Sequence, residues 1–262
     1  FTEGFGYSLP SLSSSFLYQS ISEELSRIEP IQLLTGIPLY QVYSEADKTP
    51  TSNKMGNQWV DFYNSAFLSG TNSLQVYHKS KLVVGTETLP YKQIIEPLFG
   101  NIMLDLGGTV RSRAVDTDRK VFQLKNGSKV GPIICYESVY GSFVGGYVRN
   151  GAEFLAVMTN DAWWGTTPGH RQLLSYTKLR AIETRLPIVR SANSGISAII
   201  NSYGEVTKQI PYLKRDAMSV TIVPQNQITF YVTYGDYIAR LSLFVSVLLL
   251  LISITRKKLI FR

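Results

Sequence analysis

VGPIICYES, residues 130–138, changes character within one residue: a run of six apolar or small positions ends at Cys135, and Tyr136, Glu137 and Ser138 follow. A run this short, with valine and isoleucine dominant, predicts a buried strand, and the sudden polarity after it predicts a turn. Residues 136–150 then read as a helix despite Gly141, Gly145 and Gly146. The pattern recurs downstream. FLAVM, residues 154–158, predicts a second buried strand, residues 159–169 a loop, and residues 170–185 a helix that Pro187 brings to a close. Residues 188–200 and 217–223 supply later strand material, with 201–204 as a turn. Strand and helix in alternation predict an α/β layered domain.

Upstream, residues 31–43 read as a strand interrupted at Gly36 and Pro38, and the polar residues 44–58 as a surface loop. Residues 62–68 and 74–78 predict a hairpin turning over residues 70–72. With 262 residues, 44% of them hydrophobic, the chain is long enough for one well-filled domain.

The net charge of +7 is unevenly placed. Arg240, Arg256, Lys257, Lys258 and Arg262 carry five of those charges, and the segment that holds them contains no acid. The body is nearly neutral and lacks a basic stripe interleaved with aromatics, which argues against a nucleic-acid partner. LSLFVSVLLLLISIT, residues 241–255, is uncharged, and Tyr234, Tyr237 and Ile238 extend it toward the roughly 20 residues that span hydrocarbon. Tyrosines at one end and a basic cluster at the other predict a transmembrane helix rather than a core helix. The positive-inside rule puts the tail in the cytoplasm and the preceding domain on the opposite side.

A single cysteine excludes an intrachain disulfide framework. Cys135 at the end of a strand is either a small buried hydrophobe or a nucleophile presented on a strand-to-helix turn, where backbone N–H groups can hold an oxyanion. Lys79, after a strand, is either a solvated charge or a fixed ammonium beside the thiol, and Lys81 competes with it. Glu3 and Glu87 are candidate general bases or surface charges. His78 and His170 make no supported dyad with the cysteine, and two distant histidines with one cysteine give no zinc spacing. Trp163 and Trp164 read equally as core or as substrate-lining aromatics.

In chain order, YHKSKLVVGTETLPY (77–91), ICYESVYG (134–141), TNDAWWG (159–165), LRAIETRLPIVRSANSGISAIIN (179–201) and TFYVTYGD (229–236) resemble the carbon–nitrogen hydrolase (nitrilase) superfamily. Within it they are similar to the apolipoprotein N-acyltransferases of the bacterial inner membrane. The resemblance implies a nitrilase-like α-β-β-α sandwich over residues 1–230, facing the periplasm, followed over 231–262 by a transmembrane helix and a short basic cytoplasmic tail. It implies a catalytic set of Glu3, Lys79 and Cys135, supported by Glu87, Tyr136 and Glu137, with Trp163 and Trp164 lining the substrate approach. The implied reaction moves a fatty acyl chain from a membrane phospholipid, through a cysteine thioester, to the N-terminal amine of a diacylglyceryl-cysteine apolipoprotein. Neither metal nor cofactor is implied, and a monomer is expected.

Departures from the family pattern lie around two glutamates. Thr2-Glu3-Gly4 stands where the family has Pro-Glu-Thr or Pro-Glu-Ala, so Glu3 is assigned by its place in the order. Val83-Val84-Gly85-Thr86-Glu87 replaces Val-Pro-Phe-Gly-Glu and keeps the glutamate spacing. The family's N-terminal bundle of membrane helices has no counterpart ahead of Phe1, and the expectation is a segment of a longer protein. Two other readings use the same residues: a membrane-anchored or soluble nitrilase-type amidase, and a non-catalytic membrane-anchored module.

Overall fold

A computed structural model describes residues 6–28, 30–70, 73–88 and 113–260. Twelve strands form two six-stranded sheets among the described residues. The first sheet contains β1 (Tyr7–Ser8), β2 (Leu33–Tyr43), β3 (Asn53–Met55), β4 (Gln58–Ser69), β5 (Gln75–His78) and β6 (Arg113–Ala114), arranged around the long β2–β4 antiparallel pair. The second runs β12-β11-β10-β9-β8-β7, from β7 (Phe122–Gln123), β8 (Lys129–Ile134), β9 (Phe154–Thr159), β10 (Ile188–Ala192), β11 (Ser197–Ile200) and β12 (Val206–Ile210). Its central strands β8, β9 and β10 are parallel, and antiparallel strands close both edges.

Helices α1 (Phe16–Arg27), α2 (Gly141–Arg149) and α3 (Gly169–Thr184) supply the outer layers. The main core joins Ala66, Leu68 and Tyr77 of the first sheet to Val130, Ile133, Leu155 and Val157 of the second and to Phe143, Val144 and Leu174 of α2 and α3. A smaller cluster under α1 packs Leu17, Tyr18 and Ile21 on Ile37, Leu39 and Phe67. The order of layers is therefore α1, first sheet, second sheet, α2 with α3: an α-β-β-α sandwich.

Several local expectations change. β2 runs through Gly36 and Pro38 without a break. The reason lies in the pairing of Pro38 with Asn64, whose carbonyl already accepts the Lys79 amide on the far side of β4. In an antiparallel strand a residue's N–H and C=O point the same way, so Pro38 sits at a position that sends no hydrogen bond to β4 and its missing donor costs the ladder nothing there. The polar stretch 44–58 is not all loop: β3 forms a hairpin with β4 around Gly56, which has a φ of 59°. The helix expected over 136–150 divides into a 3-10 turn, Cys135–Val139, and α2, with Tyr140 extended between them. Residues 217–223 form no strand. Ser219 accepts from Lys208 Nζ of the edge strand β12 and Val223 is exposed, so this stretch meets the sheet through a side chain without adding a ladder to it.

After a short helix α4 (Phe230–Tyr234), the long helix α5 (Tyr237–Ile260) leaves the domain. Its apolar part, Tyr237–Thr255, is 19 residues long and none of it is buried against the protein. At 1.5 Å per residue it reaches about 28 Å, close to the thickness of a bilayer's hydrocarbon. A soluble core helix would be covered by its neighbours, whereas Leu243, Phe244, Leu248, Leu249 and Leu250 are all exposed.

Candidate active site

Cys135 follows directly on β8, with a φ of 51°. That left-handed conformation is uncommon for a cysteine and costs about 1–3 kcal/mol, which the packed sheet beneath it supports. The turn swings the chain off the strand and opens the 3-10 turn, whose Ser138 hydroxyl donates back to the Cys135 carbonyl at 2.9 Å. The thiol is buried in the core. Burial pushes it up; the Lys79 ammonium and the Thr159 side chain pull it down, while the Asp161 and Glu87 charges add to the rise.

Lys79 comes from the other sheet. Its amide extends the β4–β5 ladder by one residue, donating to Asn64 O at 2.7 Å, and strand alternation turns Tyr77 and Lys79 inward and His78 away. The Lys79 side chain is 1% exposed and its Nζ meets Glu87 Oε2 at 2.7 Å. Glu87 is itself held by the Val83 amide at 2.8 Å and by Asn64 Nδ2 at 2.8 Å. Burial raises the Glu87 carboxyl, but Lys79 and these two donors outweigh it and hold the carboxyl below its usual range. A lysine so fully buried needs such a partner. Lys81 has a different environment, over the rings of Tyr140 and Phe143 at 5.9 and 5.7 Å.

Glu137 is fully buried and links the sheets. Its Oε1 accepts from the Tyr77 hydroxyl at 2.5 Å and from the Ser80 amide at 2.7 Å, while Oε2 accepts from the Ile134 amide at 2.8 Å. Burial pushes the Glu137 carboxyl up, and Tyr77, Ile134 and Ser80 oppose it. The carboxyl fixes the residue before the cysteine and the residue after the lysine, so it sets their relative position. Tyr136, half-buried, packs edge-on against Tyr140 at 5.7 Å.

The remaining expected residues fall as follows. Glu3 lies outside the described residues. Trp163 and Trp164 occupy a 3-10 turn after β9, with ring centroids 5.9 Å apart; Trp163 packs on the main core, and both indole nitrogens are buried without a hydrogen-bond partner among the described residues. His78 Nδ1 pairs with Ser65 Oγ at 2.7 Å, and burial, with Lys120 nearby, lowers its pKa to about 4. His170 stacks on Tyr212 at 4.1 Å. No group of three or more His, Cys, Asp or Glu able to hold a metal occurs among the described residues.

Sequence reading passed over four residues near the thiol. Asn64 fixes Glu87, as above. Thr159 donates to Asp161 Oδ1 at 2.7 Å, and Asp161 Oδ2 meets Arg190 Nη2 at 2.7 Å with both side chains at 0% exposure. The available signal was an arginine inside the apolar strand sequence IVRSA, since a charge there must be paired.

The family model for the carbon-nitrogen hydrolases matches residues 24–229. A Chlorobaculum tepidum protein named apolipoprotein N-acyltransferase is 29% identical over 232 residues, 86% of this chain and 43% of the relative. One of the same name from Pseudomonas syringae pv. tomato is 29% identical over 84% of this chain and 40% of its own length. One from Brucella suis is 34% identical over 56% of this chain and 27% of its own. The chain thus spans about two fifths of the length of the first two relatives. With a matching family model over most of its length, two facing sheets and a lone cysteine on the turn after a central strand, this chain belongs to the carbon-nitrogen hydrolase family.

Proposed function

We propose that the chain is the catalytic domain of an apolipoprotein N-acyltransferase, with residues 1–230 as a periplasmic domain and residues 231–262 as its membrane helix and cytoplasmic tail. The observation that carries the reading is the pairing of a buried, ion-paired Lys79 with a cysteine on a strained turn, in a domain from which an uncovered apolar helix departs. Lys79 supplies a positive charge in a water-poor site, where it stabilises a thiolate and then an oxyanion.

Glu3 takes the thiol proton, and the Cys135 sulfur attacks the ester carbonyl of a phospholipid. The oxyanion is held by Lys79 and by the backbone N–H near Tyr136. The C–O bond breaks, the lysophospholipid leaves as an alcohol with the proton, and a thioester remains. The α-amine of a diacylglyceryl-cysteine then attacks the thioester, giving up its proton to Glu3, and the C–S bond breaks as the amide forms. Glu87 orients Lys79, Glu137 holds the cysteine and lysine segments in register, and Trp163 and Trp164 line the acyl approach.

The flanking charges favour an orientation with the basic tail in the cytoplasm, and the names of the relatives favour the inner membrane. The names of the relatives and the exposed helix favour this reading over a soluble amidase. The test is to incubate the full-length enzyme with phospholipid and no acceptor, then examine the peptide containing Cys135 by mass spectrometry. An acyl thioester is expected; its absence, with the enzyme active once acceptor is added, overturns the mechanism.

A further inference from the structure

Beside the nucleophile stands a hydroxyl to which the acyl transfer above gives no task. β8 and β9 are parallel neighbours with Ile134 opposite Met158, so Cys135, the first residue beyond β8, comes off the sheet next to Thr159, the last residue of β9. Thr159 is β-branched, and its stiff χ1 keeps the hydroxyl in a narrow range of directions. That hydroxyl has one proton and two lone pairs. The proton goes to Asp161 Oδ1 at 2.7 Å, which leaves the lone pairs free for another donor.

Asp161 is held with unusual care. Its second oxygen takes Arg190 Nη2 at 2.7 Å in full burial, and Arg190 is anchored in turn by the Ile196 carbonyl at 3.1 Å and by Thr177 Oγ1 at 3.2 Å. Gly195 is pressed against the same carboxylate, and a Cβ there would collide with Asp161 Oδ2. A buried ion pair of this kind is a weak source of net stability, and its fixed geometry is the more telling property. Arg190 also means that Asp161 retains a partner when the Thr159 proton turns elsewhere.

We propose that Thr159 is the positioning residue of Cys135: its hydroxyl, aimed by the Asp161–Arg190 pair, accepts from the thiol at rest and donates to the sulfur once the thiol proton has left. The inference rests on the reading of Cys135 as nucleophile and adds to it the group that orients the sulfur. Among the described residues, the charged groups that act on the thiol are Lys79, Glu87, Asp161 and Arg190. Thr159 is the uncharged side chain among its influences and pulls its pKa down, second to Lys79.

The test uses the full-length protein in detergent, alkylated with iodoacetamide across a range of pH, with the label on the Cys135 peptide counted by mass spectrometry. Thr159→Val keeps the shape and removes the hydroxyl; its labelling midpoint is expected to rise by about one pH unit, so that labelling at neutral pH slows about tenfold. Thr159→Ser, which restores the hydroxyl, is expected to label within about twofold of the parent, less than the tenfold of one pK unit. Should the valine variant fail to fold, Thr159→Ala removes the same group and is expected to shift alike. A normal parent profile that the valine or alanine variant leaves unmoved overturns the proposal, as does a serine variant displaced as far as valine. A parent protein whose Cys135 takes no label at any pH overturns the nucleophile reading first, and this one with it.

Discussion

Cys135 is an unpromising thiol by burial alone, since desolvation raises it and two carboxylates stand near. What makes it a nucleophile in the proposed reading is a single ammonium brought from the opposite sheet. Lys79→Met keeps the apolar stem and removes that charge. Its expected effects are a loss of acyl transfer of about 10²–10³-fold, the scale of one oxyanion donor, and a higher pH midpoint for alkylation of Cys135. Steady-state transfer assays and labelling profiles check the two separately. Glu137→Gln is a different kind of change. It replaces an acceptor of four donated hydrogen bonds by a group that is itself half donor, so at least one N–H or O–H among Tyr77, Ser80, Lys81 and Ile134 loses its partner in the core. A loss of about 1–3 kcal/mol is expected, read as a lower melting temperature with unfolding still cooperative. Cys135 and Lys79 were visible in the sequence as a thiol after an apolar run and a lysine after a strand. Their mutual approach was not, because it depends on two sheets meeting face to face across residues far apart in the chain.

At the level of elements, the second sheet was the more legible of the two. β8 and β9 follow from short apolar runs, and α3 from its stop at a left-handed Arg185 and Pro187; its buried face includes His170, Thr177, Arg180 and Thr184, so apolar residues alone do not mark it. α1 was passed over although Leu17, Tyr18, Ile21 and Leu25 recur at helical spacing while Glu23, Glu24 and Arg27 stay exposed, a period the sequence reading did not use. Residues 217–223 show the converse failure: a run of strand-forming residues says nothing of whether an edge is open to receive it. Close packing where α2 crosses β8 gives a test of the layer itself. A Cβ at Gly131 would lie 2.8 Å from Leu155 Cδ2 and 3.0 Å from Tyr147 Cβ, so Gly131→Ala is expected to destabilise the domain by about 1–3 kcal/mol, measured by thermal or denaturant unfolding. On α5, Leu248→Arg places a charge mid-span, at a cost of about 2.5–3.5 kcal/mol on insertion scales. The expected outcome is a larger fraction of the protein released from membranes by alkaline carbonate.

Over the whole molecule, the partly buried His78 and Glu87 lower stability in acid, while the raised Glu137 carboxyl, which gains its proton more readily in the fold, works the other way. His78 falls from an ordinary 6.5 to about 4 in the fold, so it stays neutral there while the unfolded chain gains a proton. The unfolded state therefore binds more protons between those values, and stability declines as pH drops from about 6.5 to about 4, by at most ~3 kcal/mol. Glu87 adds a second decline at lower pH. Its carboxyl is depressed in the fold, so the stability it contributes is present above its ordinary 4.5 and is lost as pH falls through its lower folded value. Melting temperatures of the full-length protein in detergent, compared across pH with those of His78→Gln, isolate the upper slope, which the variant should lose while the lower one stays.

The Glu137 carboxylate has a further consequence at this scale. Apolar faces pressed together resist separation far more than they resist sliding, because the hydrophobic effect has no direction. A carboxylate whose two oxygens are claimed from opposite sides, Ser80 and Tyr77 on one and Ile134 on the other, is a dowel through the two layers. Loops around the rim are then free to lengthen, shorten or follow the movements of a lipid surface without shearing the thiol away from its ammonium.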